Sequence, residues 1–241
     1  MKILSEPVWI SHRGVSHKFD ENSYAAFQAA CDAGFSWLET DLHCTRDNHI
    51  VLSHDEELGK VSLATGNISA WTRVDLEQIR LKRGGEFLFL DDFMAEFSRQ
   101  HWVFDIKPST AEQTMVVIGR LLRKNPDLIR KIIFLFWDEL VQKAFLDEFP
   151  EAVCFPREAE CYRAGITAFL GMAFLGNIRK EKIYSVMPCE YGLKLLSERV
   201  VRCFHKRGAK VLGYLPVDQR QVRLCLDAGV DYILSNDLPV R

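Results

Sequence analysis

Trp37-Leu38-Glu39-Thr40-Asp41-Leu42 is the stretch that decides how this chain is read. Successive side chains of a strand point to opposite faces, so Leu38, Thr40 and Leu42 share one face and Glu39 and Asp41 share the other. Two anionic oxygens presented from one face can converge on a single cation. The plainer alternative is a buried salt-bridge network in which Arg13 or Lys107 neutralises two otherwise costly charges. Upstream of this stretch, the apolar run Val8-Trp9-Ile10 leads into His12-Arg13-Gly14, and downstream Ile50-Val51-Leu52 leads into His54-Asp55. Both histidines then fall at strand ends, where loops gather chemistry.

The same alternation of strands and helices continues along the chain. Ser23 is a plausible N-cap for a helix from Tyr24 to Cys31 that Gly34 closes, and residues 56 to 86 form an irregular, glycine-punctuated excursion. A helix at 90–100, a strand at 102–107, a helix at 111–124, a strand at 132–136, a helix at 139–149 and a short strand at 153–155 follow. The apolar segment 157–180 reads as one broken helix and 182–187 as a strand. Beyond it come a helix at 193–206, a strand at 210–214, a helix at 219–227 ending at Gly229, and a last strand at 231–235. Eight strands separated by helices, with no Gly-x-Gly-x-x-Gly turn, point to a (β/α)8 TIM barrel rather than an open doubly wound sheet. The chain is expected to form one barrel domain over residues 1–241, with a small insertion at about 56–86 between the second and third barrel strands and a missing or truncated final helix.

With 31 Lys and Arg against 33 Asp and Glu, the net charge of −2 provides no global attraction to nucleic acid or to an anionic membrane. Phosphate recognition, if present, must be local. No stretch approaches the ~20 apolar residues of a membrane-spanning helix. Residues 1–7 carry no apolar leader core, and the seven cysteines include no Cys-x-x-Cys pair and read as reduced thiols. These features lead to the expectation of a soluble, cytoplasmic protein without stable membrane insertion and of unspecified oligomeric state.

His12-Arg13-Gly14, Glu21-Asn22-Ser23, Glu39-Thr40-Asp41 and His54-Asp55, in this order and spacing, resemble the glycerophosphodiester phosphodiesterase family, whose signature runs His-Arg-Gly, Pro-Glu-Asn-Thr, Glu-x-Asp and His-Asp. Phe104-Asp105-Ile106-Lys107 resembles the family's Glu-x-Lys strand, and Ser235-Asn236-Asp237 lies near the family's final Thr-Asp. The resemblance implies metal-dependent hydrolysis of glycerophosphodiesters to sn-glycerol 3-phosphate and an alcohol, within phospholipid and glycerol metabolism. It also implies that Asp105 is the third metal carboxylate, that His12 deprotonates the nucleophile and that His54 protonates the leaving alcohol. Phospholipase-D-like action on lysophospholipids or sphingomyelin, and a non-catalytic phosphate-binding barrel, are the alternatives.

The chemistry assigns the remaining roles. Phosphodiesters resist attack because the phosphate is anionic and the alkoxide leaves poorly, so a catalyst must neutralise charge, position the nucleophile and protonate the leaving oxygen. Glu39 and Asp41 are the metal candidates, and oxygen-only ligands favour Mg²⁺ or Ca²⁺. Arg13 and Lys107 would meet the phosphate oxygens, and imidazoles at His12 and His54 can exchange protons near neutral pH. Asn22 and Tyr214 are candidates for the substrate pocket. Three departures from the family pattern stand out: Asp105 in place of glutamate, which withdraws the carboxylate by roughly 1.5 Å and is expected to weaken or alter metal binding, Asp20 in place of proline, and Gly213-Tyr214-Leu215 in place of Trp-Thr.

Overall fold

The structure, a computed structural model, describes residues 6–190 and 192–236. Met1 to Ser5, Asp237 and the region where a final helix was expected to be missing lie outside the described residues. Two compact units are present: Ser11–Val153, and the described residues that precede and follow it.

In the Ser11–Val153 unit, β1 (Val8–His12, whose first three residues belong to the other unit) enters a sharp turn, and α1 (Tyr24–Asp32) follows. Ser23 caps α1 by accepting from the Ala26 amide. β2 (Trp37–Cys44) pairs antiparallel with β3 (Ile50–Leu52) and parallel with β4 (His101–Ile106), which pairs parallel with β5 (Ile132–Phe136). The expected excursion at 56–86 is more ordered than its glycines suggest. It holds α2 (Leu58–Val61), a 3-10 turn at Ile68–Ala70 and α3 (Arg73–Glu77), all packed on a small core of Leu58, Ile68, Leu76, Leu81 and Phe87. These segments are too short to show helical periodicity.

α4 (Leu90–Glu96), α5 (Ala111–Lys124) and α6 (Glu139–Glu148) complete the unit, and β6 (Val153–Cys154) spans its boundary. Aromatic rings pack helix against helix and helix against sheet. Phe27 of α1 lies 4.7 Å from Phe93 of α4, and Phe134 of β5 lies 4.8 Å from Phe145 of α6.

The other unit contains α7 (Glu158–Phe169), β7 (Ile183–Val186), a hairpin of β8 (Cys189–Glu190) with β9 (Leu193–Lys194), α8 (Glu198–His205), β10 (Lys210–Tyr214), α9 (Gln219–Ala228) and β11 (Tyr232–Ser235). β10 pairs parallel with both β7 and β11. The helix expected at 193–206 begins later, because Ser197 caps α8 by accepting from the Val200 amide while Leu193 and Lys194 pair in the hairpin. Tyr214 ends β10 and is 38% exposed.

Gly14 fixes the turn after β1. Its φ of +78° is one that glycine adopts without penalty, and a Cβ there would meet the Ala26 carbonyl carbon at 2.5 Å. Gly14→Ala should therefore destabilise the protein by roughly 2–4 kcal/mol, combining left-handed strain with overpacking. The shift in urea midpoint at constant m measures this.

Candidate active site

Strand register brings the site together. In the parallel pairing of β2 with β4, Asp41 is the Cα partner of Asp105 and Glu39 that of Val103, so Asp41 and Asp105 stand side by side on one face with Glu39 two residues along. Carboxylate oxygens of Glu39, Asp41 and Asp105 all lie within 4.8 Å of one another, and all three residues are buried.

Asp41 is held hardest. Asn22 Nδ2 donates to Asp41 Oδ2 at 2.9 Å, Arg13 Nε lies 2.9 Å from the same oxygen, and Lys107 Nζ lies 2.8 Å from Oδ1. The Arg13 and Lys107 approaches are at ion-pair distance. Burial would raise the Asp41 carboxyl, yet Lys107 and Arg13 outweigh it and hold it below its ordinary range. Asn22 is 2% exposed, and Thr40 Oγ1 donates to its Oδ1 at 2.8 Å, so it acts as a buried strut beneath Asp41.

Asp105 has both oxygens engaged. Lys107 Nζ lies 2.7 Å from Oδ2, and the indole N–H of Trp137 donates to Oδ1 at 2.7 Å, with the Lys107 ammonium 5.6 Å from the Trp137 ring centroid. Burial raises the Asp105 carboxyl even against Lys107. Lys107 stays charged because Asp41 and Asp105 overcome the burial that would lower it.

Glu39 differs from its neighbours. Its Oε2 is enclosed without a hydrogen-bond partner, and His12 Nε2 approaches it only to 4.0 Å. Burial first, and then Asp41, push the Glu39 carboxyl well above its ordinary range. A buried, unsatisfied carboxylate oxygen beside two more carboxylates is a donor set suited to a hard divalent cation, so the residues present fit such an ion. Glu39, Asp41 and Asp105 would hold it.

The backbone sets the surrounding groups. Arg13 adopts φ 56°, its amide donates to the Glu39 carbonyl at 3.1 Å, and its guanidinium Nη1 reaches Glu21 at 3.3 Å. His54 follows β3, where the Ser53 amide donates to the Asp41 carbonyl, and His54 Nδ1 lies 3.5 Å from Asp55 Oδ2. Two residues that sequence reasoning missed take part. His43, buried and kept neutral by that burial, donates from Nε2 to the His54 carbonyl at 3.3 Å while its Nδ1 accepts from Ser109 Oγ; the tautomer follows because a carbonyl can only accept. The period-two spacing 39, 41, 43 could have revealed it. Trp137 directly follows β5, and its neighbour Phe136 registers with Ile106 beside Lys107; only that pairing reveals its role.

Two outcomes test this geometry. The raised Glu39 carboxyl binds its proton more tightly folded than unfolded, so without divalent ions it costs stability as pH rises above about 4.3. Glu39→Gln should flatten that decline in thermal midpoint with chelator present, and the gap between variant and parent should widen toward neutral pH. Trp137→Phe keeps the ring but removes the donor to Asp105, and should weaken any divalent-cation binding at the triad about 10-fold by calorimetry.

Comparison with known proteins places this fold and these motifs among phosphodiesterases. A family model described as the glycerophosphoryl diester phosphodiesterase family matches residues 12–121, which span the three carboxylates, Arg13, Lys107 and both histidines at the strand ends but not Trp137. A probable glycerophosphodiester phosphodiesterase 2 of Mycobacterium tuberculosis is 27% identical over 232 residues, covering 94% of this chain and 86% of the relative. Among solved structures, the glycerophosphoryl diester phosphodiesterase domain of another M. tuberculosis protein superposes with a TM-score of 0.81 at 16% identity, covering 97% of each chain. An Oleispira antarctica phosphodiesterase in complex with the product sn-glycerol-3-phosphate superposes with a TM-score of 0.73 at 19% identity, covering 95% and 93%. These likenesses show the fold, an α/β barrel of the TIM type. The motif order, the relative matched along nearly the whole chain and the shared fold point the same way: this chain is similar to the glycerophosphoryl diester phosphodiesterase family.

Proposed function

We propose that this protein hydrolyses glycerophosphodiesters to sn-glycerol 3-phosphate and an alcohol, with a divalent cation, Mg²⁺ or Ca²⁺, held by Glu39, Asp41 and Asp105. The observation that carries this reading is the charge count. Three buried carboxylates face two fixed cations, Arg13 and Lys107. A divalent ion turns that deficit of one positive charge into a surplus of one, and a phosphodiester monoanion cancels the surplus. When bound, the ion supplies Lewis-acid polarisation of a phosphoryl oxygen.

The chain's own residues do the rest. Arg13 and Lys107 neutralise the remaining phosphoryl oxygens, and both are kept cationic by the carboxylates around them. His12 accepts the proton of the attacking hydroxyl while His54 gives one to the leaving oxygen. One phosphorus–oxygen bond forms as the bond to the alcohol breaks, so one proton arrives at His12 and one leaves His54. The product-bound Oleispira phosphodiesterase, with the same fold, supports the assignment of product.

Asp105 is reached by its own lysine and by Trp137, and it has the shorter side chain, so the proposed ion is held less firmly than a glutamate would hold it. Among the described residues no helix is long and apolar enough to cross a membrane, and Cys31, Cys44, Cys161, Cys189, Cys203 and Cys225 are free thiols, which suits the reducing cytoplasm.

His12→Ala or His54→Ala should each lower kcat on glycerophosphodiesters by about 100-fold or more with the thermal midpoint unchanged. Turnover at the parental rate in either variant removes that imidazole from the mechanism, and turnover that survives exhaustive chelation removes the cation.

A further inference from the structure

A cleft in the Ser11–Val153 unit lies outside the chemistry described so far. It runs between the first loop and the insertion and has a volume of about 290 Å³, with Phe19, Glu21 and Asp55 on one wall and Lys60, Val61 and Lys82 on the other. Two of these residues are partners of site residues: Glu21 Oε2 lies 3.3 Å from Arg13 Nη1, and Asp55 Oδ2 lies 3.5 Å from His54 Nδ1. The cleft therefore begins beside the imidazole that protonates the leaving oxygen.

Its charges divide into those that build the walls and those that remain. Both Asp20 oxygens accept from the Arg83 amide and one also from the Gly85 amide, and Arg83 Nη1 donates to the Ser16 and Phe19 carbonyls, so these two residues join first loop to insertion. Glu21 and Asp55 each face a site residue, Arg13 or His54. Lys82 Nζ donates to the Lys60 carbonyl, and among the described residues neither lysine ammonium has a carboxylate partner. Six of the ten lining residues are charged, and an acyl chain would have to strip water from them. The volume corresponds to roughly ten waters at ~30 Å³ each, enough for a small polar head group.

We propose that this cleft is the leaving-alcohol subsite and that Lys60 and Lys82 make it select head alcohols carrying an anionic group. The proposal rests on the phosphodiesterase reading above. It favours a carboxylate- or phosphate-bearing alcohol over a purely cationic head and over an acyl chain.

Glycerophosphoserine and glycerophosphoethanolamine differ by one carboxylate and make the matched pair for the test. The parent protein should show kcat/KM about 5-fold higher for the serine diester, and Lys60→Met, then Lys60→Met with Lys82→Met, should bring the ratio toward one. Salt at about 0.5 M should shrink the preference in the parent. Glycerophosphoinositol phosphate, compared with glycerophosphoinositol, separates a phosphate-selective cleft from a carboxylate-selective one. A ratio of one or below for both pairs in the parent, preferences unmoved in the double variant, or lysophosphatidylcholine as the best substrate overturns the proposal. If no diester is cleaved with either ion, the phosphodiesterase reading falls instead. Calorimetric Kd values of the serine and ethanolamine diesters on the His12→Ala protein still test the cleft: tighter serine binding upholds it and equal affinities overturn it.

Discussion

Asp41 is a carboxylate with no solvent exposure, and its burial is tolerable only because Arg13, Lys107 and Asn22 converge on its two oxygens. The three partners come from different places: a left-handed turn after β1, the residue before the α1 cap, and the residue after β4. One charge thus ties the first loop to two neighbouring strands. Removing a single partner of a buried pair costs roughly 3–5 kcal/mol in general, so the geometry that concentrates the carboxylates also supports the fold around them. Glu39 has no such escort, which is why it is the member of the triad with an unsatisfied oxygen.

The substitution of aspartate at position 105 makes sense in this setting. A shorter arm retracts the carboxylate toward the sheet, where the Lys107 ammonium and the Trp137 indole can each take one oxygen. The loss in reach is thereby matched by a gain in definition, since a carboxylate bonded at both ends has little rotational freedom left. Asp20, standing where the family pattern has proline, gains an equally specific use by accepting backbone amides of the insertion, something proline could not do.

The parts of this molecule that were legible in the sequence are those governed by short-range periodicity. Glu39 and Asp41 announced their common face through alternation along one strand, and most barrel elements could be placed from apolar runs and their caps. What stayed hidden depended on register between strands. Asp41 opposite Asp105, and Trp137 next to Lys107, are consequences of pairing that a linear pattern does not encode. His43 fell between the two cases, since its spacing was visible while its partner, a main-chain carbonyl, carries no residue identity at all. The late start of α8 was missed because Leu193 and Lys194 suit a helix locally but are claimed by a hairpin with Cys189 and Glu190.

The insertion packs a small apolar core against Val51 of β3 and is fastened to the first loop through the Asp20 and Arg83 side chains, each bonded to main-chain groups. Its exposed face, away from that core, can change without disturbing the carboxylates on β2 and β4. On the proposed reading of the cleft, drift in which alcohol is accepted is thereby uncoupled from drift in the acidic centre, and a lineage can explore new diets by editing the outer face of some thirty residues.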